Sequence, residues 1–388
     1  MVSKSESSAG RLVIIGGVAA GMSAASKARR LKPDIEILVF EKGGYVSYGS
    51  CGLPYYISGM IKSPEDLVVY DAKFFREKRN IGVFLYHEAV AIQPEKHLVL
   101  VRDGKKGEVK EYQYSKLLIA TGARAFVPPI KGTDLEGIFT IRLLPDGIKI
   151  KDFLREKSPK KALIIGAGYI GMEMAETLMR LGIKVTMVAR GHNILGTMES
   201  EISKIVEDEL GRNGVTLLKS TQVEEFKGEN GYLRSAVLNN GETIDIDMAL
   251  VATGVRPNSG IAKEAGIELG SKGAVRVNER METNVPNIYS AGDCAEAYHQ
   301  VLKRQFYLPL GTIANKQGKV AGENMVGGDA SFKGVVATST FKVFDLQVAR
   351  TGLLRKRLKK KVLVTSPVPL KRVREHIIIP AEAGYWSS

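Results

Sequence analysis

The sequence predicts an α/β fold built on two copies of one strand–turn–helix–strand unit. The second copy is inserted in the domain that the first one starts, and an incomplete α+β domain follows at the C-terminus. Three observations carry this. Arg11–Ala25 and Lys161–Ala175 share one layout: a β-branched run, a glycine-rich turn and a helix of small residues, 150 residues apart in a chain of 388. Each copy is closed by an apolar strand ending at Thr-Gly, at Thr121-Gly122 and Thr253-Gly254. Near the C-terminus the pattern then breaks at Leu353-Leu-Arg-Lys-Arg-Leu-Lys-Lys-Lys361.

In the first copy a strand ends at Ile15, the chain turns through Gly16-Gly17-Val18-Ala19-Ala20-Gly21, and a helix leads to a second strand over 35–40. Glycines in such a turn allow the bend, the approach of a pyrophosphate to the helix N-terminus, and close helix–strand packing. Gly16 and Gly21 fit the Gly-x-Gly-x-x-Gly spacing, while Val18 takes the middle position and Gly17 precedes it. Glu41 follows Gly21 by 20 residues, where a carboxylate accepts from the ribose hydroxyls of an adenine dinucleotide. The second copy matches the full spacing at Gly166, Gly168 and Gly171. Its second strand, over 184–188, ends in Ala189-Arg190 without an acid. Arg190 is then either an exposed loop residue or the partner of a 2′-phosphate. One glycine match alone would also suit a tight turn with no ligand. Two in the same context point to a pair of Rossmann-like dinucleotide-binding domains.

Tyr289-Ser-Ala-Gly-Asp-Cys-Ala295 reads as a strand running into a turn that presents Asp293, and Pro128-Pro129 and Arg256-Pro257 read as crossings between domains. The expected division is 1–117 with 250–330, then 118–249, then 331–388.

The cysteines point to redox chemistry. Cys51 lies among Gly and Tyr residues just beyond Glu41, and Pro54 suits the first turn of a helix. A thiol at a helix start ionises more readily. No second cysteine lies within ten residues, so Cys51 would work through a mixed disulfide, a persulfide or a sulfenic acid. Cys294 reads as a small packing residue. The five histidines show no metal-ligand spacing with the cysteines, and no metal site is expected.

Composition excludes broad classes. Apolar residues are 44% and charged residues 25%, ordinary for a globular chain rather than a disordered or fibrous one. No apolar run of about 18 residues occurs, and the N-terminal residues carry no apolar signal core. Two cysteines make no disulfide framework, so a reducing, cytoplasmic compartment is expected, with no membrane partner. The net charge of +14 invites a nucleic-acid reading, but residues 353–388 hold nine Lys/Arg against two acids, half of that charge. No nucleic-acid partner is expected.

These motifs together resemble the flavin-dependent pyridine nucleotide-disulfide oxidoreductases. They are similar to the single-cysteine branch with coenzyme A-disulfide reductase, persulfide reductase and NADH oxidase, from about Leu12 to Gly352. The carrying segments are 16–22, Ser-Cys-Gly-Leu-Pro-Tyr-Tyr at 50–56, 166–173, 252–254 and 291–294. The resemblance implies FAD on the first copy, held by Gly16, Gly17, Ala20, Gly21, Glu41, Lys42, Thr121, Gly122, Gly254, Gly292 and Asp293. It implies NADPH or NADH on the second, at Gly166, Gly168, Tyr169, Ile170, Gly171, Glu173 and Arg190. It makes Cys51 the catalytic residue, with Lys27, Arg30, Ser47, Ser50 and Lys78 at a coenzyme A site. The implied activity is reduction of coenzyme A disulfide or persulfide, with oxygen as the alternative acceptor or a non-catalytic flavoprotein fragment as the alternative of another class. Ala19 stands where peroxide-reducing members carry His, which disfavours peroxide as the substrate.

Members of this family continue into a C-terminal domain that makes a homodimer and lends residues to the partner's site. Here the expectation is a truncated or frame-shifted version of that domain, with a genuine short, basic tail as the alternative: codons such as GCA-CAT-TAT-TAT-CCC for the family's Ala-His-Tyr-Tyr-Pro, read one base off, give His-Ile-Ile-Ile-Pro, as at His376–Pro380.

Overall fold

A computed structural model describes residues 10–354 and, as backbone, the strand His376–Pro380. The chain forms two compact units: Met1–Gly49 with Glu65–Arg124 and Arg256–Val335, and Ser50–Pro64 with Ala125–Val255 and Val336–Ser388.

The first unit is built on a five-stranded parallel sheet, in the order Ile288–Ser290, Lys116–Ile119, Arg11–Ile15, Glu36–Glu41, Gly82–Leu85. Its strands are near-continuous apolar runs, as a sheet covered on both faces requires. Leu12, Val13 and Ile14 are fully buried, each contributing about 1.5–3 kcal/mol. The chain leaves Arg11–Ile15 toward one neighbour and returns on the other side, so the carboxyl ends of Arg11–Ile15 and Lys116–Ile119 flank a topological switch point. The small residues of the Ala19–Leu31 helix serve helix packing. A side-chain carbon at Gly318 or Gly322 of the Gly311–Asn324 helix would collide with the Ala20 or Ala24 carbonyl. A three-stranded antiparallel meander, His87–Gln93, Leu98–Asp103 and Val109–Gln113, completes the unit.

The second unit repeats the plan. Its parallel sheet runs Thr216–Lys219, Lys184–Ala189, Lys161–Ile165, Met248–Val251, Ile138–Phe139, and its meander is Val223–Glu229, Tyr232–Leu238, Thr243–Asp245. An antiparallel hairpin, Ser339–Val343 with Leu346–Arg350, belongs to this unit, and the His376–Pro380 backbone pairs with its second strand.

The divisions fall at 124/125, 255/256 and 335/336, a few residues beyond the boundaries expected from sequence. The expected bounds put Thr121-Gly122 in the second domain and Thr253-Gly254 in the first; the structure reverses this, Thr121 Oγ1 donating to the Asn258 carbonyl in the first unit and Thr253 Oγ1 to the Phe126 carbonyl in the second. The Cys51 segment and residues 336–354 group with the second unit rather than with the first or by themselves. Residues 355–375 and 381–388, with most of the basic tail and the expected truncation or frame shift, lie outside the described residues. Among the described residues no helix is long and apolar enough to cross a membrane.

Candidate functional site

In the first unit Gly16 sits at φ +104°, and a side-chain carbon there would collide with the Ala120 carbonyl. One at Gly21 would overlap the Gly16 carbonyl, and one at Gly17 would stand 2.6 Å from Val46 Cγ1. The cradle thus exists only with glycine at these positions. Glu41 ends the neighbouring strand with both oxygens engaged: it accepts from the Gly17 N–H at 2.8 Å and from the Gly43 N–H at 2.7 Å. It buttresses the turn, and its remaining lone pairs are what a hydroxyl could use. Lys42 is exposed and 3.4 Å from Glu88. Across the switch point, Gly292 (φ +86°) donates to Gln317 Oε1 at 2.9 Å, while Gln317 Nε2 donates to the Glu296 carbonyl. That bridge sets the turn carrying Asp293, whose carbonyl accepts from Tyr307. Ala20 packs beside Gly292, and Gly122 (φ +67°) accepts from the Asn258 N–H.

The second turn has the same build. Gly166 sits at φ +113°, with the Ala252 carbonyl where a side-chain carbon would go, and Gly171 abuts the Gly166 carbonyl. A side-chain carbon at Gly168 would meet nothing within 4 Å, so the space beside the N-cap of the Tyr169–Arg180 helix is open. Helix amides with room before them suit an anion. Arg190 and His192 are exposed beyond the Lys184–Ala189 strand. Ile170 follows Tyr169 in the first turn of the helix. Gly254 (φ +110°) accepts from the Phe126 N–H.

Cys51 is exposed in a one-turn 3₁₀ helix, Ser50–Gly52, that runs directly into the Leu53–Ile57 helix. Gly147 packs against Leu53 and seats this segment in the second unit. Cys294 is fully buried, its Sγ 3.4 Å from the Ile119 and Ala291 carbonyls. Among the described residues no group of three metal-ligating side chains forms.

Sequence reasoning missed a small pocket in the second unit, lined by Tyr55, Met60, Glu173, Glu176, Arg180 and Lys342 among others. Glu176 is held by Arg180 and Lys342, each at 2.8 Å, and by the Phe344 N–H at 2.8 Å. Burial, then the nearby Glu176 charge, pushes the Glu173 carboxyl up to about 7. Tyr55, one helical turn after Cys51, is raised by burial and by both carboxylates. The spacing Glu173–Glu176, three apart on a helix, was the available signal.

The candidate coenzyme A residues divide between the units. Lys27 Nζ lies 2.9 Å from Glu323 Oε2. Arg30 and Lys78 are exposed. They sit near the ends of two helices, Ala19–Leu31 and Ala72–Arg79, that Arg29 ties together by donating to the Asn80 carbonyl at 2.5 Å. Ser47 has φ +50° and donates its N–H to the Gly17 carbonyl, while Ser50 opens the Cys51 turn in the second unit.

A family profile described as pyridine nucleotide-disulphide oxidoreductase matches residues 10–318. The chain is 40% identical to an NAD(P)H sulfur oxidoreductase (CoA-dependent) of Pyrococcus abyssi, covering 88% of this chain and 75% of that one. It is 32% identical to a coenzyme A disulfide reductase of Staphylococcus haemolyticus, covering 88% and 76%. Among solved structures, an NAD-dependent persulfide reductase from A. fulgidus superposes with a TM-score of 0.87 at 39% identity. That match covers 90% of this chain, which spans only 65% of the solved one. An NADPH-bound oxidase engineered from the Lactobacillus brevis water-forming NADH oxidase has a TM-score of 0.86 at 26% identity, covering 90% and 77%.

Proposed function

The chain belongs to the pyridine nucleotide-disulphide oxidoreductase family, and from that premise we propose that it reduces a coenzyme A-linked disulfide or persulfide with NAD(P)H through Cys51. The observation that carries this is an exposed lone thiol on a short helical turn in a chain with two glycine-built dinucleotide cradles. The residues of the first cradle fit FAD: three glycines that tolerate no side chain, Glu41 with lone pairs to spare, and the Gly292-Asp293 turn at the switch point. FAD, when bound, supplies a two-electron carrier between nicotinamide and sulfur. Thr121, Gly122, Ala20 and Lys42 belong to the same unit as that cradle, while Gly254 lies with the second one.

The protein's own chemistry is at sulfur. The Cys51 thiolate attacks the coenzyme A-bound sulfur of the substrate, forming a mixed disulfide with coenzyme A and expelling the other sulfur as a thiolate from a disulfide or as hydrosulfide from a persulfide. Two electrons and a proton from NAD(P)H then return Cys51 as the thiolate and release coenzyme A as its thiol. Arg30 and Lys78, on helix ends joined by Arg29, offer charge to the substrate's phosphates, with Lys27, Ser47 and Ser50 as further members of the set. Lys27 would first exchange Glu323 for that phosphate.

The second cradle takes the nicotinamide nucleotide, with NADPH preferred. A free 2′-hydroxyl wants an acceptor at the strand end, and this chain has Ala189-Arg190. The engineered NADPH oxidase gained, among five exchanges, an Asp-to-Ala and an adjacent Ala-to-Arg. Its likeness also supports oxygen as the competing acceptor. The reading includes a homodimer in a reducing, cytoplasmic compartment.

An anaerobic assay with FAD-loaded protein, NADPH and coenzyme A disulfide tests the proposal. NADPH should be consumed by wild type and not by Cys51→Ser. Consumption that persists in Cys51→Ser, or that requires air and no disulfide, selects the oxidase reading instead.

A further inference from the structure

The strongest unabsorbed feature is the hairpin Ser339–Arg350, more than 160 residues after the second glycine turn. It holds the very residue that opens the helix of that turn. The Tyr169 ring stacks on Phe341 at 4.8 Å and 26°. The Tyr169 hydroxyl lies 3.0 Å from Ser339 Oγ and 3.0 Å from Thr197 Oγ1. Arg350 Nη1 donates to the Thr197 carbonyl at 2.5 Å, so the hairpin also fixes the second hydroxyl partner. Further along, Lys342 and the Phe344 N–H grip Glu176, and the Asp345 N–H donates to Glu209, a carboxylate on the neighbouring Ser200–Arg212 helix. Phe341, Val343 and Val348 are buried, so the hairpin is anchored by its own core.

This arrangement constrains one side chain unusually well. Tyr169 follows Gly168, and the space before Gly168 is open. An unrestrained tyrosine here could rotate into that space. A ring stacked on one face and hydrogen-bonded at its tip has one rotamer, and ordering it in advance removes a cost that a ligand would otherwise meet.

We propose that the C-terminal hairpin is a positioning element of the dinucleotide site: Phe341 and Ser339 hold Tyr169 clear of the Gly166–Gly171 turn, so that NAD(P)H affinity depends on the hairpin. Ser339 and Phe341 act through Tyr169 and are positioning residues. This rests on the reading that the second cradle takes NAD(P)H. Coupling of this kind is reciprocal, so bound NADPH stabilises the hairpin in turn.

The test is a double-mutant cycle on FAD-loaded protein, read as the NADPH dissociation constant under anaerobic conditions and, separately, as thermal stabilisation by NADP⁺. Ser339→Ala should weaken NADPH by roughly two- to tenfold, the range of one neutral hydrogen bond. The same change in a Tyr169→Phe background should have no further effect, because the hydroxyl it served is gone. Phe341→Leu should weaken NADPH by a similar factor and Phe341→Tyr should restore it. KM for NADPH should rise while kcat changes less than about twofold, as for lost ground-state binding. Equal affinity in wild type and Ser339→Ala, or additive losses in the cycle, would show the hairpin to be packing alone and overturn the proposal. Wild type that binds no NADPH or NADP⁺ would instead fail the reading of the cradle itself, which separates the two.

Discussion

The two glycine turns are the same backbone put to different use. Gly16 and Gly166 donate to the second strand at Phe40 and Val188, and Ala120 and Ala252 donate to Ile15 and Ile165, all at 2.8–2.9 Å. Gly17 and Ala167 accept at 2.9 Å from Ser47 and Leu195. The differences are confined to a few side chains. One residue past the paired positions Phe40 and Val188, the first unit has Glu41 and the second Ala189. Where the first helix has Ser23, hydrogen-bonded to Asn315 at 2.9 Å, the second has the half-buried Glu173. Where the first has Ala19, the second has Tyr169. A shared main chain therefore builds both turns, and the side chains at three positions distinguish them.

The sharpest break of this symmetry is to spoil one cradle at a time. Gly21→Ala drives a methyl into the Gly16 carbonyl and should abolish flavin binding, seen as loss of the visible flavin spectrum. Gly171→Ala makes the same clash with Gly166 and should leave the flavin spectrum while abolishing NADPH binding by titration. Loss of both ligands in either variant would show that the cradles are not separable.

Glu173 against Ser23 offers the next test. Because burial raises the Glu173 pKa to about 7 from 4.5, the folded state binds more protons than the unfolded one between these values. Stability should fall as pH rises through this window, by at most about 3 kcal/mol. Glu173→Gln should flatten that slope in urea melts taken from pH 4.5 to 7.5, and an unchanged slope would assign the dependence elsewhere.

Arg190 against Lys42 is smaller. Arg190→Ala should cost roughly 10- to 100-fold in NADPH affinity, the range of a charge-assisted phosphate contact, and leave NADH nearly unchanged. Equal losses for both nucleotides would remove Arg190 from the 2′-phosphate. Smallest is Lys27→Met, which breaks a half-exposed pair with Glu323. It should cost less than about 1 kcal/mol in thermal unfolding, but should raise the KM for coenzyme A disulfide if Lys27 serves the substrate.

Much of this was legible because it is local. Gly16, Gly21, Gly166 and Gly171 announce themselves by spacing; Gly21 and Gly171 avoid a collision within their own strand–turn–helix unit, whereas Gly16 and Gly166 make room for the Ala120 and Ala252 carbonyls, far along the chain. The Thr-Gly strand ends and the Cys51 segment are read in the same way. Glu41 was legible as an acid at a strand end, but not its engagement by the Gly17 and Gly43 amides. Neither the Lys27–Glu323 pair nor the Gln317 bridge to Gly292 has a local signature, for their partners lie 296 and 25 positions away.

By itself, then, the sequence determined the repeated α/β plan, the two glycine turns, the position of Cys51 and the missing acid before Arg190, because glycine spacing and strand periodicity are read over a dozen residues. Only the tertiary structure decided that the Cys51 segment belongs with the second unit, that Lys342 joins Glu173 and Glu176 in one pocket, and that the C-terminal hairpin holds Tyr169. These depend on desolvation and on contacts between distant segments, which no spacing along the chain encodes.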